Sequence, residues 1–230
     1  MKRSEINTIL RETAGFIESI GFRLPPFSEW KPEECRDRVQ SHGEVFDLGL
    51  GWDLTDFGFG EFNHRGLALF TIRNGSASGS PYSKPYAEKV MVIRPGQLTP
   101  THCHWKKTED IINRAGGILV LKLHNATADD QLADSPVCVS VDGGTRELPP
   151  GGEVHLSPGE SITLPPRLFH SFWASPDSGT VLAGEVSSVN DDRNDNCFHG
   201  EQLRFPRIEE DVPPWRLLVG DYAGVLSATL

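Results

Sequence analysis

Hydrophobic positions keep two different rhythms along this chain. Between residues 4 and 20, Ile6, Ile9, Leu10, Phe16, Ile17 and Ile20 recur at helical spacing. That periodicity predicts one amphipathic helix with its apolar stripe against a larger body. Ser4 is placed to cap its start and Gly21 to stop it. From residue 22 the helical rhythm fades, and Pro25, Pro26 and Pro32 mark an irregular connection. Short segments rich in β-branched and aromatic residues follow, separated by Gly, Pro, Asn and Asp. They predict strands over 44–48, 67–73, 88–95, 98–104, 109–113, 117–123, 136–141, 152–156, 161–164, 168–173 and 179–187. Many short strands with frequent turns and no long helix between them predict an all-β sandwich or barrel and exclude parallel βαβ units. Residues 206–217 read as an arm over the surface, and 219–230 carry no usable pattern.

Length and charge narrow the class. At 230 residues the chain is expected to form one domain over 1–230, with helix 4–20, a barrel core over 67–198 and a C-terminal arm over 206–230. Such a chain buries a core without needing disulfides. Cys35, Cys103, Cys138 and Cys197 lack CxxC spacing, which fits reduced thiols in the cytoplasm. The net charge of −10 repels phosphate backbones and anionic lipid, so nucleic acid and membrane partners are not expected. No apolar run resembles a signal peptide or a membrane span.

One segment breaks the barrel pattern with chemistry. It reads GQLTPTHCHWKKTEDIINRAG from Gly96 to Gly116. His102 and His104 lie two apart, so on a strand both rings face the same side, while Cys103 between them faces the other as a buried bystander. Glu109 follows the turn WKKT, and a hairpin there would bring it beside the imidazoles. A second segment, GESITLPPRLFHSFWA, places His170 on a later strand as the fourth ligand. Three imidazoles and one carboxylate suit one divalent ion, Mn²⁺, Fe²⁺, Zn²⁺, Co²⁺ or Ni²⁺, with Mn²⁺ the expected one. His42, His64, His124, His155 and His199 need no such role.

The two segments resemble the two motifs of the cupin superfamily. The first matches in full: glycine, five residues, His-x-His, four residues, glutamate, six residues, glycine. The second matches in glycine, proline and histidine, but has Arg167 where a second glycine falls and Ala174 where asparagine is common. The resemblance implies a double-stranded β-helix, a jelly-roll barrel with the metal inside its mouth.

Further segments are more specific. LALFTIRNG at 67–75, YAEKVMVIR at 86–94, KTEDIINRAGG at 107–117 and LAGEVSSVNDDRNDNCF at 182–198 resemble the D-lyxose isomerase family of sugar isomerases. That resemblance implies conversion of D-lyxose to D-xylulose, and of D-mannose to D-fructose, through a metal-stabilised enediol. The residues suit such chemistry. Glu185 lies in TVLAGEVSS, in phase with Val181 and Ala183, and is the candidate general base; an acid among apolar neighbours is expected to have a raised pKa. Lys107 is expected to point into the same mouth, with Lys106 facing solvent. Lys89, Asp192 and Arg193 are candidates for the sugar's hydroxyls. A cupin dioxygenase and a non-catalytic sugar-binding or sensor barrel are the rival readings; the first leaves Glu185 with Lys107 unexplained, and against the second stand an acidic charge and the lack of a DNA-binding motif beside the barrel. Exposed sheet edges suggest a homodimer.

Overall fold

Two antiparallel sheets face each other around the chemistry-bearing segments. The computed structural model describes residues 1–76, 81–192, 194–200 and 207–227. The larger sheet runs β1 (Gly51–Thr55), β2 (Leu67–Arg73), β3 (Tyr86–Ile93), β12 (Val181–Ser188), β5 (Glu109–Gly116), β10 (Ser161–Leu164), β7 (Val137–Val141) and β8 (Gly144–Leu148). The smaller runs β13 (Asn196–Phe198), β4 (Thr99–His104), β11 (Leu168–Ala174), β6 (Leu119–Asn125) and β9 (Glu153–Leu156). Consecutive strands repeatedly change sheet, which is the jelly-roll arrangement.

The strands are built to bury one face or two. In β6 and β7 alternate residues turn inward, and Leu119, Leu121, Leu123, Val137, Val139 and Val141 fill the space between the sheets. In β2 and β3 both faces are apolar. Leu67, Leu69 and Met91 point inward, while Phe70, Ile72, Val90 and Val92 pack outward against the N-terminal helix. A strand covered on both sides reads as a continuous apolar run, as LALFTI and VMVI do.

Helix α1 spans Arg3–Ser19, with Ile6, Ile9, Leu10 and Ile17 buried. Gly21, at φ 80°, stops it as expected. Ser4 is not its cap. The flanking residue is Lys2, and Ser4 instead gives both its backbone N–H and its hydroxyl to Asp211, at 2.9 and 2.6 Å. The arm therefore clamps this helix. Arg3 is buried between Glu210 and Asp221, and the Asn7 side chain bonds the backbones of Pro213 and Trp215.

Several expected elements differ. Residues 44–48 form no strand: Gly43–Asp47 is a short helix, α3, in which adjacent Val45 and Phe46 are both buried, as a helical turn allows. A further helix, α2 (Pro32–Arg38), starts at a proline that sequence reading took for a loop marker. Strands β1, β8 and β13 were not anticipated. The patternless tail holds α4 (Tyr222–Ser227), whose Tyr222 hydroxyl donates to the Leu50 carbonyl at 2.7 Å. Residues 206 and 228–230 of the expected arm lie outside the described residues.

Candidate metal centre and active site

β4 presents His102 and His104 to the cavity, as their two-residue spacing predicts. β11 lies beside it, with His170 paired directly to His102. Glu109 arrives differently. Residues 105–108 make no hairpin, because β4 and β5 belong to opposite sheets. The turn is a crossing, and Glu109 opens β5 on the far wall. The cluster therefore straddles both sheets.

Each imidazole is held by its Nδ1. His102 meets the Pro100 carbonyl at 2.8 Å, His104 the Asp195 carbonyl at 2.9 Å, and His170 the Leu168 carbonyl at 3.1 Å. A carbonyl accepts only, so each Nδ1 is the donor and each Nε2 is turned to the cavity. One nitrogen from each ring falls within 4.8 Å of the others, a set that suits a metal ion. His170 Nε2 is buried without a hydrogen bond, 3.1 Å from Glu109 Oε1, and His104 Nε2 is 3.5 Å from Glu109 Oε2. An unsatisfied buried nitrogen among imidazoles and a carboxylate fits a cation there. Burial, with His170 and His104 beside it, holds His102 well below the usual histidine range, so its ring is neutral. Cys103 faces away. Its thiol is fully buried, pushed up to about 12 by that burial, and is no ligand.

Beside the histidines runs a row of buried charges. Lys107 Nζ sits 2.6 Å from Glu109 Oε2 and 2.9 Å from Glu185 Oε1. Lys89, directly opposite Glu185 on β3, lies 3.3 Å from the same carboxylate. Ser187 donates its hydroxyl to Glu185 Oε1 at 3.0 Å. Lys89, Lys107, Glu109 and Glu185 are each 5% exposed or less. Lys106, as expected, is exposed.

The expected raised pKa of Glu185 is overturned. Burial does push it up, but the charges of Lys107 and Lys89 outweigh burial and hold it below the ordinary value. Val181 and Ala183 are its neighbours along the strand, as the sequence shows; across the strands it meets Lys89 on β3, and Lys107 reaches it from the turn before β5. Glu109 is held well below its ordinary value, since Lys107 and His104 overcome burial. Lys107 is raised, because the two carboxylates overcome the burial that alone would lower it. Both acids are thus ionised at neutral pH.

Asp192 lines the same cavity, 4.0 Å from Lys89. Arg193 lies outside the described residues. Asp191 takes another part: its carboxylate accepts the Asn194 N–H at 3.1 Å and caps the turn. Asn190 and Asp195 were missed. Asn190 accepts from Lys89. Asp195 is buried, and its carboxylate accepts the Lys106 and Lys107 N–H groups, each at 2.9 Å. One residue thereby orients both His104 and the turn that carries Lys107. In sequence it was one of several acids in a polar loop, with no periodic signal to separate it.

The departure at Arg167 proves harmless. Arg167 adopts the left-handed conformation itself, at φ 63°, which the motif's glycine would supply. Its N–H donates to the His104 carbonyl at 2.7 Å, and its guanidinium holds the Thr127 carbonyl at 2.6 Å. The motif glycine at 116 is needed for space as well, since a Cβ there would lie 2.0 Å from the Thr180 carbonyl oxygen.

Comparison with known proteins agrees with this geometry. The family model described as D-lyxose isomerase matches residues 1–222. The chain belongs to the D-lyxose isomerase family. Within it, the chain is 51% identical over 224 residues to the D-lyxose/D-mannose isomerase of Serratia proteamaculans, covering 96% of this chain and 98% of that one. It is 28% identical to the D-lyxose ketol-isomerase of Cohnella laeviribosi, over 80% of this chain and 98% of the other. Among solved structures, the L-ribose isomerase of Geodermatophilus obscurus superposes with a TM-score of 0.60 at 18% identity, covering 91% of this chain and 98% of that one. That likeness shows the fold. For this family member, no helix among the described residues is long and apolar enough to cross a membrane.

Proposed function

We propose that this chain is a metal-dependent aldose–ketose isomerase that converts D-lyxose to D-xylulose and D-mannose to D-fructose. The observation that carries the reading is an ionised carboxylate, Glu185, bridged by buried Lys107 to the Glu109 carboxylate beside three clustered imidazoles. The relatives named for D-lyxose and D-mannose isomerisation support this choice of sugars.

His102, His104, Glu109 and His170 would hold one divalent ion, with Mn²⁺ favoured by the mixed nitrogen and carboxylate donors. Held there, the ion would supply Lewis acidity toward the sugar's carbonyl. Glu185 takes the proton from C2. As that C–H bond breaks, its electron pair forms the C1–C2 double bond of an enediol, and the carbonyl oxygen takes up the charge. The hydroxyl proton of O2 passes to O1, Glu185 returns its proton to C1, and the carbonyl re-forms at C2. Lys107 donates to the sugar oxygen that gains charge and keeps Glu185 ionised between turnovers. Lys89 and Asp192 meet the hydroxyls further along the chain, with Arg193 assigned beside them from sequence.

The chain is proposed to act as a cytoplasmic homodimer of one cupin domain over 1–230. Four free cysteines, and the outer edges of β8, β9 and β13, support this. The test is an aldose panel on metal-stripped protein reloaded metal by metal, run in D₂O. Turnover of D-lyxose with deuterium entering at C1 is the expected result. A panel without turnover under every metal overturns the proposal.

A further inference from the structure

The cavity around the histidines is walled by both sheets. The larger sheet brings Lys89, Glu109 and Glu185, with Leu67, Leu69 and Met91 beside them on the same face. The smaller sheet brings the histidines, with Phe172 and Thr99. Thr99 is 2% exposed, and its Oγ1 has no hydrogen-bond partner among the described residues.

The backbone has been shaped to put it there. On an unbroken strand Thr99, three residues before His102, faces away from it. β4 is bulged against β11. His102 pairs with His170 while Thr99 pairs with Phe172, so a step of three residues on β4 opposes a step of two on β11. The extra residue turns Thr99 back to the cavity side, as bulges beside active sites do. A buried hydroxyl left unmet is destabilising relative to valine of the same shape. A bulge that brings a residue with such a hydroxyl to the cavity wall serves the fold poorly and serves a ligand well.

We propose that Thr99 is a substrate-binding residue whose Oγ1 hydrogen-bonds a hydroxyl of the bound aldose on the β4 side of the cavity. An aldose suits this cavity, because its C–H groups pack on Leu67 and Leu69 of the facing sheet while a hydroxyl meets Thr99. The inference rests on the sugar-isomerase reading above. It adds a second anchor opposite the charged wall and fixes which face of the sugar turns toward Glu185.

The test compares Thr99→Val, which keeps shape and removes the hydroxyl, with Thr99→Ser, which keeps the hydroxyl. D-Lyxose and D-mannose turnover, metal content and melting temperature are measured on the metal-loaded protein. In Thr99→Val, kcat/KM is expected to fall about 5- to 10-fold, chiefly through KM, the size of one ordinary hydrogen bond. Metal content stays the same and the melting temperature holds or rises. Thr99→Ser stays within about twofold of the parent, because its hydroxyl is kept. Wild-type kcat/KM in Thr99→Val overturns the assignment. So does a loss of activity that tracks a loss of metal or of melting temperature, or a serine variant as impaired as the valine one. Failure of the sugar-isomerase reading shows separately, as a parent protein that turns over neither sugar.

Discussion

The same strands build two interiors that obey different rules. On β12, Val181 and Ala183 enter the aliphatic core, and one pleat later Glu185 enters the charged row. On β5, Glu109 stands at the charged end and Ile111, two residues on, is in the aliphatic core. The aliphatic end is stabilised by every side chain it removes from water. The charged end must first meet the cost of stripping water from two lysines and two carboxylates, and it offsets that cost only by pairing them in a row. Such a row is weak support for a fold. It does put an ionised carboxylate, a buried ammonium and three imidazoles in one cavity. Changes at the charged end should therefore move turnover, and changes at the aliphatic end should move stability.

The sharpest break in this division is expected from the histidines. His102→Ala or His170→Ala should abolish both bound metal and turnover, because each removes one of a few ligands drawn from neighbouring strands. Elemental analysis beside an activity assay checks this. Full metal and full rate in both variants would remove the metal from the account. Glu185→Gln comes next. Shape and metal content should persist, while kcat falls by on the order of 10²–10⁴, the usual worth of a positioned base. Exchange of the C2 proton with D₂O should vanish in parallel. A variant that keeps near-parental kcat moves the base elsewhere, with Lys107 the next group to test.

The aliphatic end should respond in the opposite sense. Leu121 is fully buried on β6, and Leu121→Ala should cost about 2–5 kcal/mol of unfolding free energy. The folded fraction should keep its kcat. Chemical denaturation and an active-site titration separate the two effects. A large loss of kcat per folded molecule would mean that the two interiors are mechanically coupled.

Sequence reading reached the charged end more readily than the route by which it is assembled. Period-two alternation on a strand was enough to place His102 and His104 on one face, to set Cys103 aside, and to separate Lys107 from Lys106. It also put Glu185 in phase with Val181 and Ala183. Alternation speaks only along a strand. It could not show that Glu109 crosses to the other sheet, nor that Lys89 stands opposite Glu185, and so it gave that acid the wrong direction of pKa shift. A bulge defeats alternation outright, which hid Thr99. Asp195 was hidden for another reason: a buried acid in a loop of Asn and Asp looks like its solvated neighbours. Residues 44–48 misled because five residues are too few to separate a strand from one helical turn.

A smaller effect should appear on acidification of the metal-stripped protein. His102 stays neutral in the fold well below its ordinary range, and burial is the main cause. In the unfolded chain it takes up a proton near pH 6.5. Below that pH the unfolded state binds more protons than the folded one, so stability rises with pH and falls with acid. The slope for this one group approaches about 1.4 kcal/mol per pH unit. Glu109 and Glu185, both held low, add to the loss once pH drops below about 4.5, where unfolded glutamates protonate. Urea midpoints between pH 7 and 4 measure this, and a His102→Gln variant with an unchanged slope would assign it to other groups.

The smallest effect tests where the charged end borrows backbone strain. Arg167 holds φ 63° at the turn before β11, where the cupin motif has glycine. A side chain in this region costs roughly 1–2 kcal/mol relative to glycine. Arg167 offsets the cost with its bond to the Thr127 carbonyl and an ion pair to Asp130 at 2.7 Å. The bond is worth about 1 kcal/mol and the half-exposed pair less. Arg167→Gly removes the strain and both contacts and frees the unfolded chain, so its net change should stay within about 1 kcal/mol. Arg167→Ala loses the contacts and keeps the strain, so it should be the less stable of the two by about 1 kcal/mol. Turnover should hold in both, because the bond to the His104 carbonyl comes from the backbone N–H at 167 and survives either change. An alanine variant as stable as the glycine one would mean that left-handed strain does not govern this turn. A loss of turnover in the alanine variant alone would mean that the strain is transmitted to His104, and the turn would then belong with the charged end of the barrel.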